Sequence, residues 1–126
     1  MSTPRTKILL AEDDENLGSL LKEYLQIKDY EAQWLTDGEK AYRSFEKNKY
    51  DICILDIMMP DIKGYEVCKK IKSNEETKSI KIIVLSAYLD EEKFQKMKEC
   101  GADVCFSKPL PLPQLKEEVA RLIQTR

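Results

Sequence analysis

Two hydrophobic periods alternate along this chain. Short, almost wholly apolar runs (Ile8-Leu9-Leu10-Ala11, Ile52-Cys53-Ile54-Leu55, Ile82-Ile83-Val84-Leu85) are separated by longer stretches whose apolar residues recur three and four positions apart. The first kind suits strands buried on both faces, the second amphipathic helices. Residues 7–11 read as a strand and 15–28 as a helix with Leu17, Leu20, Leu21, Tyr24 and Leu25 on one stripe. Residues 30–35 read as a second, partly alternating strand, after which Asp37 can cap a helix carrying Ala41, Tyr42 and Phe45. A third strand is predicted over 51–55, followed by a helix over 65–73 with Val67, Cys68 and Ile71 apolar. The fourth strand covers 80–85. Asp90 can cap a fourth helix containing Phe94 and Met97, and Gly101, just past Cys100, suits the residue that ends it. Residues 104–107 form a short fifth strand and 112–123 a fifth helix opened by Pro111 and Pro113.

This alternation predicts an α/β fold: a three-layer α/β/α sandwich around a five-stranded parallel sheet, because right-handed crossovers cover both faces. Periodicity does not fix the strand order. The order most compatible with a phosphate site is the flavodoxin-like 2-1-3-4-5, whose switch point lies between strands one and three. No linker or low-complexity segment interrupts the pattern, so residues 1–126 are expected to form one domain with a polar tail over 1–5.

Composition narrows the chemistry. A net charge of -2 gives no basic excess for gripping a phosphate backbone, so direct nucleic-acid binding is not expected. No apolar run approaches the roughly 20 residues that span a bilayer, and the polar start has no secretory core. Together these predict a cytoplasmic protein with no membrane partner. Four cysteines without CxxC spacing read as free thiols in a reducing compartment. Histidine is absent, which removes imidazole metal sites, histidine-based triads and any internal phosphohistidine. Carboxylates, a hydroxyl and amines must carry whatever chemistry occurs.

Such groups end the predicted strands: Glu12 and Asp13 after the first, Asp56 after the third, Ser86 after the fourth, Lys108 after the fifth. Taken singly, each has an ordinary structural role. Acids favour a helix start, Asp56 could open a turn, Ser86 could cap, and Lys108 could be a solvated surface lysine. In a parallel sheet, however, all strand carboxyl ends share one edge, so these residues converge. Two like unit charges 4 Å apart cost about 4 kcal/mol at an effective dielectric near 20. Three gathered carboxylates therefore call for cations, of which Lys108 is one and a divalent metal the other. All-oxygen donors with room for water favour Mg²⁺ over a Ca²⁺ cage. Beside such a cation Asp56 stays ionised and can attack phosphorus, giving an aspartyl phosphate. Lys108 would neutralise the phosphoryl oxygens and Ser86 would donate a hydrogen bond to one.

Four stretches, in this order and at these separations, resemble a bacterial response-regulator receiver domain. They are Ile8-Leu9-Leu10-Ala11-Glu12-Asp13-Asp14-Glu15, Leu55-Asp56-Ile57-Met58-Met59-Pro60-Asp61, Val84-Leu85-Ser86-Ala87, and Gly101-Ala102-Asp103 with Lys108-Pro109. The resemblance covers essentially the whole chain and is to the single-domain, chemotaxis-regulator-like fold of two-component signalling. It implies Asp56 as phosphoacceptor, Asp13 as a direct Mg²⁺ ligand, and Glu12 as an acid reaching the metal directly or through water. The backbone carbonyl of Met58 would complete the protein ligands. Ser86 and Lys108 would follow and pair with the phosphoryl group. Asp14 would start the helix. Ala87 would sit beside the phosphoryl group, and Met58 and Tyr88 would govern water access. One position departs from the pattern: where the family commonly has Tyr or Phe, three residues before the lysine, this chain has Cys105. Phe106 is adjacent but would point to the other face.

The resemblance implies a signalling phosphoacceptor with at most self-catalysed phosphorylation and dephosphorylation. A partner histidine kinase or phosphotransfer protein would supply the phosphohistidine, and a downstream protein would read the switched surface. No output module follows Arg126, so action by protein contact or as a relay intermediate is expected. A phosphohydrolase with an aspartate nucleophile would need a DxD pattern, and here Met58 holds the second place. A phosphorylation-independent interaction module is the other class, supported by Cys105. A flavodoxin would need a Ser/Thr/Gly-rich phosphate loop after the first strand, which is lacking.

Overall fold

The computed structural model describes residues 6–56, 64–86, 90–108 and 112–124. Ten elements follow one another: β1 (Lys7–Ala11), α1 (Glu15–Ile27), β2 (Glu31–Leu35), α2 (Gly38–Lys47), β3 (Ile52–Asp56), α3 (Gly64–Ser73), β4 (Lys81–Ser86), α4 (Glu91–Glu99), β5 (Val104–Ser107) and α5 (Leu112–Gln124). All strand pairs are parallel, and their order is β2-β1-β3-β4-β5. The flavodoxin-like arrangement expected from the sequence is therefore the one adopted.

The central strands divide the core by residue parity. Leu9, Ala11, Cys53, Leu55, Ile82 and Val84 pack on the side of α2, α3 and α4. Ile8, Leu10, Ile52, Ile54, Ile83 and Leu85 pack on the side of α1 and α5. Adjacent strand residues point to opposite faces, so a run with no polar member is what a doubly covered sheet requires.

Helix starts follow the predicted caps. The Asp14 carboxylate accepts from the N–H groups of Asn16 and Leu17. Asp37 accepts from Lys40 N–H and Asp90 from Lys93 N–H. Each answers N–H groups that a helix leaves unpaired in its first turn. α4 ends at Cys100, and Gly101 has a φ of 101°, where a side chain would be strained; an added Cβ would also stand 2.7 Å from Lys72 Cγ.

Three expectations shift. On α1, Leu21 and Leu25 are buried, but Leu20 is 49% exposed at the edge of the stripe. On α4, Met97 is buried, whereas Phe94 is 37% exposed with the Lys98 ammonium over its ring. Asp56 and Ser86 are the last residues of their strands rather than the first beyond them. Parallel pairing continues through both positions, with Asp56 opposite Leu85 and Ser86 opposite Ser107. Among the described residues, no helix is long and apolar enough to cross a membrane.

Burial ranks the residues by cost. Replacing Ile54, fully buried on β3, by Ala should lower the unfolding free energy by about 2–5 kcal/mol. Ile27→Ala, at a residue 78% exposed, should change it by less than about 0.5 kcal/mol. Denaturant midpoints of the two variants measured side by side check this ordering.

Candidate functional site at the carboxyl edge of the sheet

β1 and β3 are neighbours, with Ala11 opposite Leu55, so the residues that follow them, Glu12 and Asp56, meet at the same edge. Carboxylate oxygens of Glu12, Asp13 and Asp56 all lie within 4.8 Å of one another. Glu12 and Asp56 are buried and Asp13 is exposed, so the cluster has a covered floor and an open mouth. Lys108 reaches in from the end of β5, its Nζ 2.8 Å from Glu12 Oε1 and 3.2 Å from Asp56 Oδ2. It donates a hydrogen bond to Asp56. The contact with Glu12 Oε1 is close but misaligned for a hydrogen bond, so it is a charge contact, and that buried oxygen has no aligned donor among the described residues.

The backbone sets these positions. Glu12 continues the β1 ladder by one bond, its N–H donating to the carbonyl of Leu35 at 3.1 Å. The sequence placed Glu12 and Asp13 just past the first strand and Asp14 at the helix start, and each is found there. Glu12 directly follows β1, Asp14 caps α1, and Asp13 lies between them. Lys108 N–H donates to the carbonyl of Ser86 at 2.8 Å, which ties the end of β5 to the end of β4. The Ser86 residue is fully buried at that edge. The Tyr24 hydroxyl donates to the carbonyl of Leu112 at 3.2 Å and holds the start of α5 against α1.

Burial, then the neighbouring Asp56 carboxylate, pushes the Glu12 carboxyl up to about 7, against a smaller downward pull from Lys108. Burial alone would lower the Lys108 ammonium, but its contacts with Glu12 and Asp56 outweigh that and raise it. An acid that holds its proton near neutrality beside a second carboxylate marks a site short of positive charge.

The model of the response regulator receiver domain family matches residues 8–120. The chain belongs to this family. A transcriptional regulatory protein, RprY of Bacteroides fragilis, is 40% identical over 121 residues, which is 95% of this chain and 50% of that protein. The sensor protein EvgS of Escherichia coli K12 is 32% identical over 120 residues, 95% of this chain and 10% of that protein. The receiver domain thus spans about half the length of one such relative and a tenth of the other. Among solved structures, the signal receiver domain of a histidine kinase from Syntrophus aciditrophicus superposes with a TM-score of 0.88 at 29% identity, covering 95% of this chain and 91% of that one. Chemotaxis protein CheY4 of Vibrio cholerae gives 0.89 at 27% identity, covering 94% and 99%.

Within the receiver domain, Glu12, Asp13, Asp56 and Lys108 come together as the sequence led one to expect. Met58, Ala87 and Tyr88 lie outside the described residues. Cys105 packs with the α2–α3–α4 side of the core and Phe106 with the α1–α5 side, so the neighbouring ring does not stand in for an aromatic at position 105. All four cysteines are free thiols; Cys53 and Cys68 are buried, and burial pushes the Cys68 thiol up to about 12. What sequence reasoning missed is the clamp on Glu12: Trp34 Nε1–H donates to the Glu12 carbonyl at 2.8 Å. A contact between strand ends leaves no periodic trace, although the chain's single Trp was a signal worth following.

The Glu12 shift fixes a pH dependence. Its folded value lies above the unfolded one, so its contribution to stability is fully present below about 4.5 and is lost as pH rises through about 7. In chelator, the wild-type protein should lose stability relative to Glu12→Gln across that window, by at most about 3 kcal/mol at 1.36 kcal/mol per pKa unit. Unfolding free energies of the two proteins at intervals from pH 4.5 to 8 measure the difference; parallel curves would contradict the shift.

Proposed function

We propose that this receiver domain is a phosphoacceptor of two-component signalling, taking a phosphoryl group from a partner's phosphohistidine onto Asp56. The observation that carries this reading is the buried Asp56 carboxylate, hydrogen-bonded to Lys108 and set within 4.8 Å of the Glu12 and Asp13 carboxylate oxygens. The donor is a histidine kinase or phosphotransfer protein, because the chain has no histidine of its own. An Asp56 carboxylate oxygen attacks phosphorus, the phosphorus–nitrogen bond breaks, and the partner's imidazole leaves with the bonding pair and takes up a proton.

The donor set fits a hard divalent cation. Glu12 Oε1 is buried with no aligned donor among the described residues, and the available atoms are all oxygens. Glu12, Asp13 and Asp56 would hold Mg²⁺, and the receiver resemblance implies the Met58 carbonyl as a further protein ligand. When bound, the ion supplies positive charge for the oxygens of the incoming phosphoryl group. Lys108, in contact with both Glu12 and Asp56, supplies the permanent cation. Ser86, buried at the end of β4, donates a hydrogen bond to one phosphoryl oxygen. By the receiver resemblance, Ala87 would lie beside the group, and Met58 and Tyr88 would govern water access and so the lifetime of the acyl phosphate. Phosphorylation adds about -1.5 to -2 charge at Asp56. That charge recruits Lys108 and Ser86, and the resulting shift biases a protein-binding surface toward a downstream protein. Any turnover is self-catalysed phosphorylation and hydrolysis.

Incubation with a small acyl phosphate and Mg²⁺ should add the mass of one phosphoryl group, and chelator should prevent it. Asp56→Asn should abolish labelling. Lys108→Ala should slow it by roughly a hundredfold, the usual scale for losing one charge-stabilising group. Intact-mass spectrometry over time measures all three, and labelling that persists in Asp56→Asn would overturn the assignment.

A further inference from the structure

We propose that Trp34 is a positioning residue for the cation site: its indole staples the β1–α1 segment that presents Glu12 and Asp13. The proposal rests on the divalent-cation reading above and deepens it. Two separate contacts carry it. At one end of the segment, Trp34 Nε1–H donates to the carbonyl of Glu12 at 2.8 Å. At the other, the indole lies against Gly18 in the first turns of α1, so closely that an added Cβ would overlap the ring. Trp34 thus spans the segment from its strand end to its helix start.

The staple has a physical reason. Residues 12–14 are three consecutive acids, and two of them contribute oxygens to a cluster with Asp56. Their mutual repulsion pushes this segment away from β3. Both backbone polar groups of Glu12 are held by β2 instead, the N–H by Leu35 and the carbonyl by Trp34. Its main chain is thus held at both ends, beside the strand that carries Asp56. An indole N–H is a donor only, so it can hold a carbonyl and cannot compete for the cation. Partners that orient ligands in this way commonly change metal affinity 10- to 100-fold when removed.

Because the chain has one Trp, its indole N–H gives one cross-peak in a nitrogen-15 proton-correlation spectrum. The test titrates Mg²⁺ into labelled wild-type protein at constant ionic strength, with calorimetry in parallel. The expected result is a shift of the indole peak with the calorimetric midpoint. Trp34→Phe, which keeps an aromatic body and loses the donor, should bind Mg²⁺ about tenfold more weakly. Gly18→Ala, which displaces the ring and alters no ligand, should move affinity the same way. A purely structural role would lower the melting temperature of these variants while leaving the Mg²⁺ affinity of the folded protein unchanged, and that result overturns the proposal. So does a stationary indole peak in wild-type protein that calorimetry shows to be saturated. If calorimetry detects no Mg²⁺ binding to wild-type protein, the cation reading fails and takes this one with it. Should either variant fail to fold, the wild-type titration decides alone.

Discussion

Three carboxylates facing one ammonium is the constraint on which the rest of this structure turns. Glu12, Asp13 and Asp56 converge within 4.8 Å, and among the described residues Lys108 is the cation placed against them. A small domain has only about 5–15 kcal/mol of net stability, so like charges at this spacing are a substantial fraction of it. Two responses to that cost follow from the geometry. Lys108 touches both buried acids, and Glu12 holds a proton up to about 7. A proton at Glu12 and a divalent cation over the cluster are therefore alternative answers to one excess of negative charge. Main-chain ties from β2 hold Glu12 at this edge.

Those ties come from the sheet. Parallel pairing puts every strand's carboxyl end on one edge, and the 2-1-3-4-5 order makes β1 and β3 adjacent where the connections diverge. The apolar runs on both faces fix the register, since a slip of one residue would turn each buried side chain to the opposite layer. Asp56 opposite Leu85, with Ser86 one step beyond, follows from that register. The site is thus a consequence of core packing at positions such as Ile54 and Val84, which touch no ligand.

Much of this was legible from residue order because the signals are local. Asp14, Asp37 and Asp90 cap helices just ahead of apolar stripes, and Gly101 ends α4. The strand-terminal acids and Lys108 fell into place once the sheet was known to be parallel. Less legible was anything decided across strands. Asp56 and Ser86 belong to their ladders, because neighbouring strands still offer partners there. Glu12, expected just past the first strand, adds one further ladder bond to Leu35, which residue order alone does not show. The Trp34 contact with Glu12 joins residues 22 apart and has no signature in composition or period.

Cys105 is the position where this chain departs from the aromatic residue that the receiver resemblance leads one to expect. It sits on β5 against the α2–α3–α4 layer, in the core region that includes Val84 and Met97. A thiol has no ring to swing between rotamers. Phe106 cannot lend its own, because its side chain packs into the other layer with Leu85 and Leu115. What links β4 to β5 here is backbone: Ser86 pairs with Ser107, and Lys108 N–H donates to the Ser86 carbonyl. Lys108 is thereby tied to the end of β4 by its main chain and touches Asp56 with its ammonium. The contacts that join β4, β5 and Asp56 at this edge are main-chain hydrogen bonds and one ammonium, and position 105 has no ring to add to them.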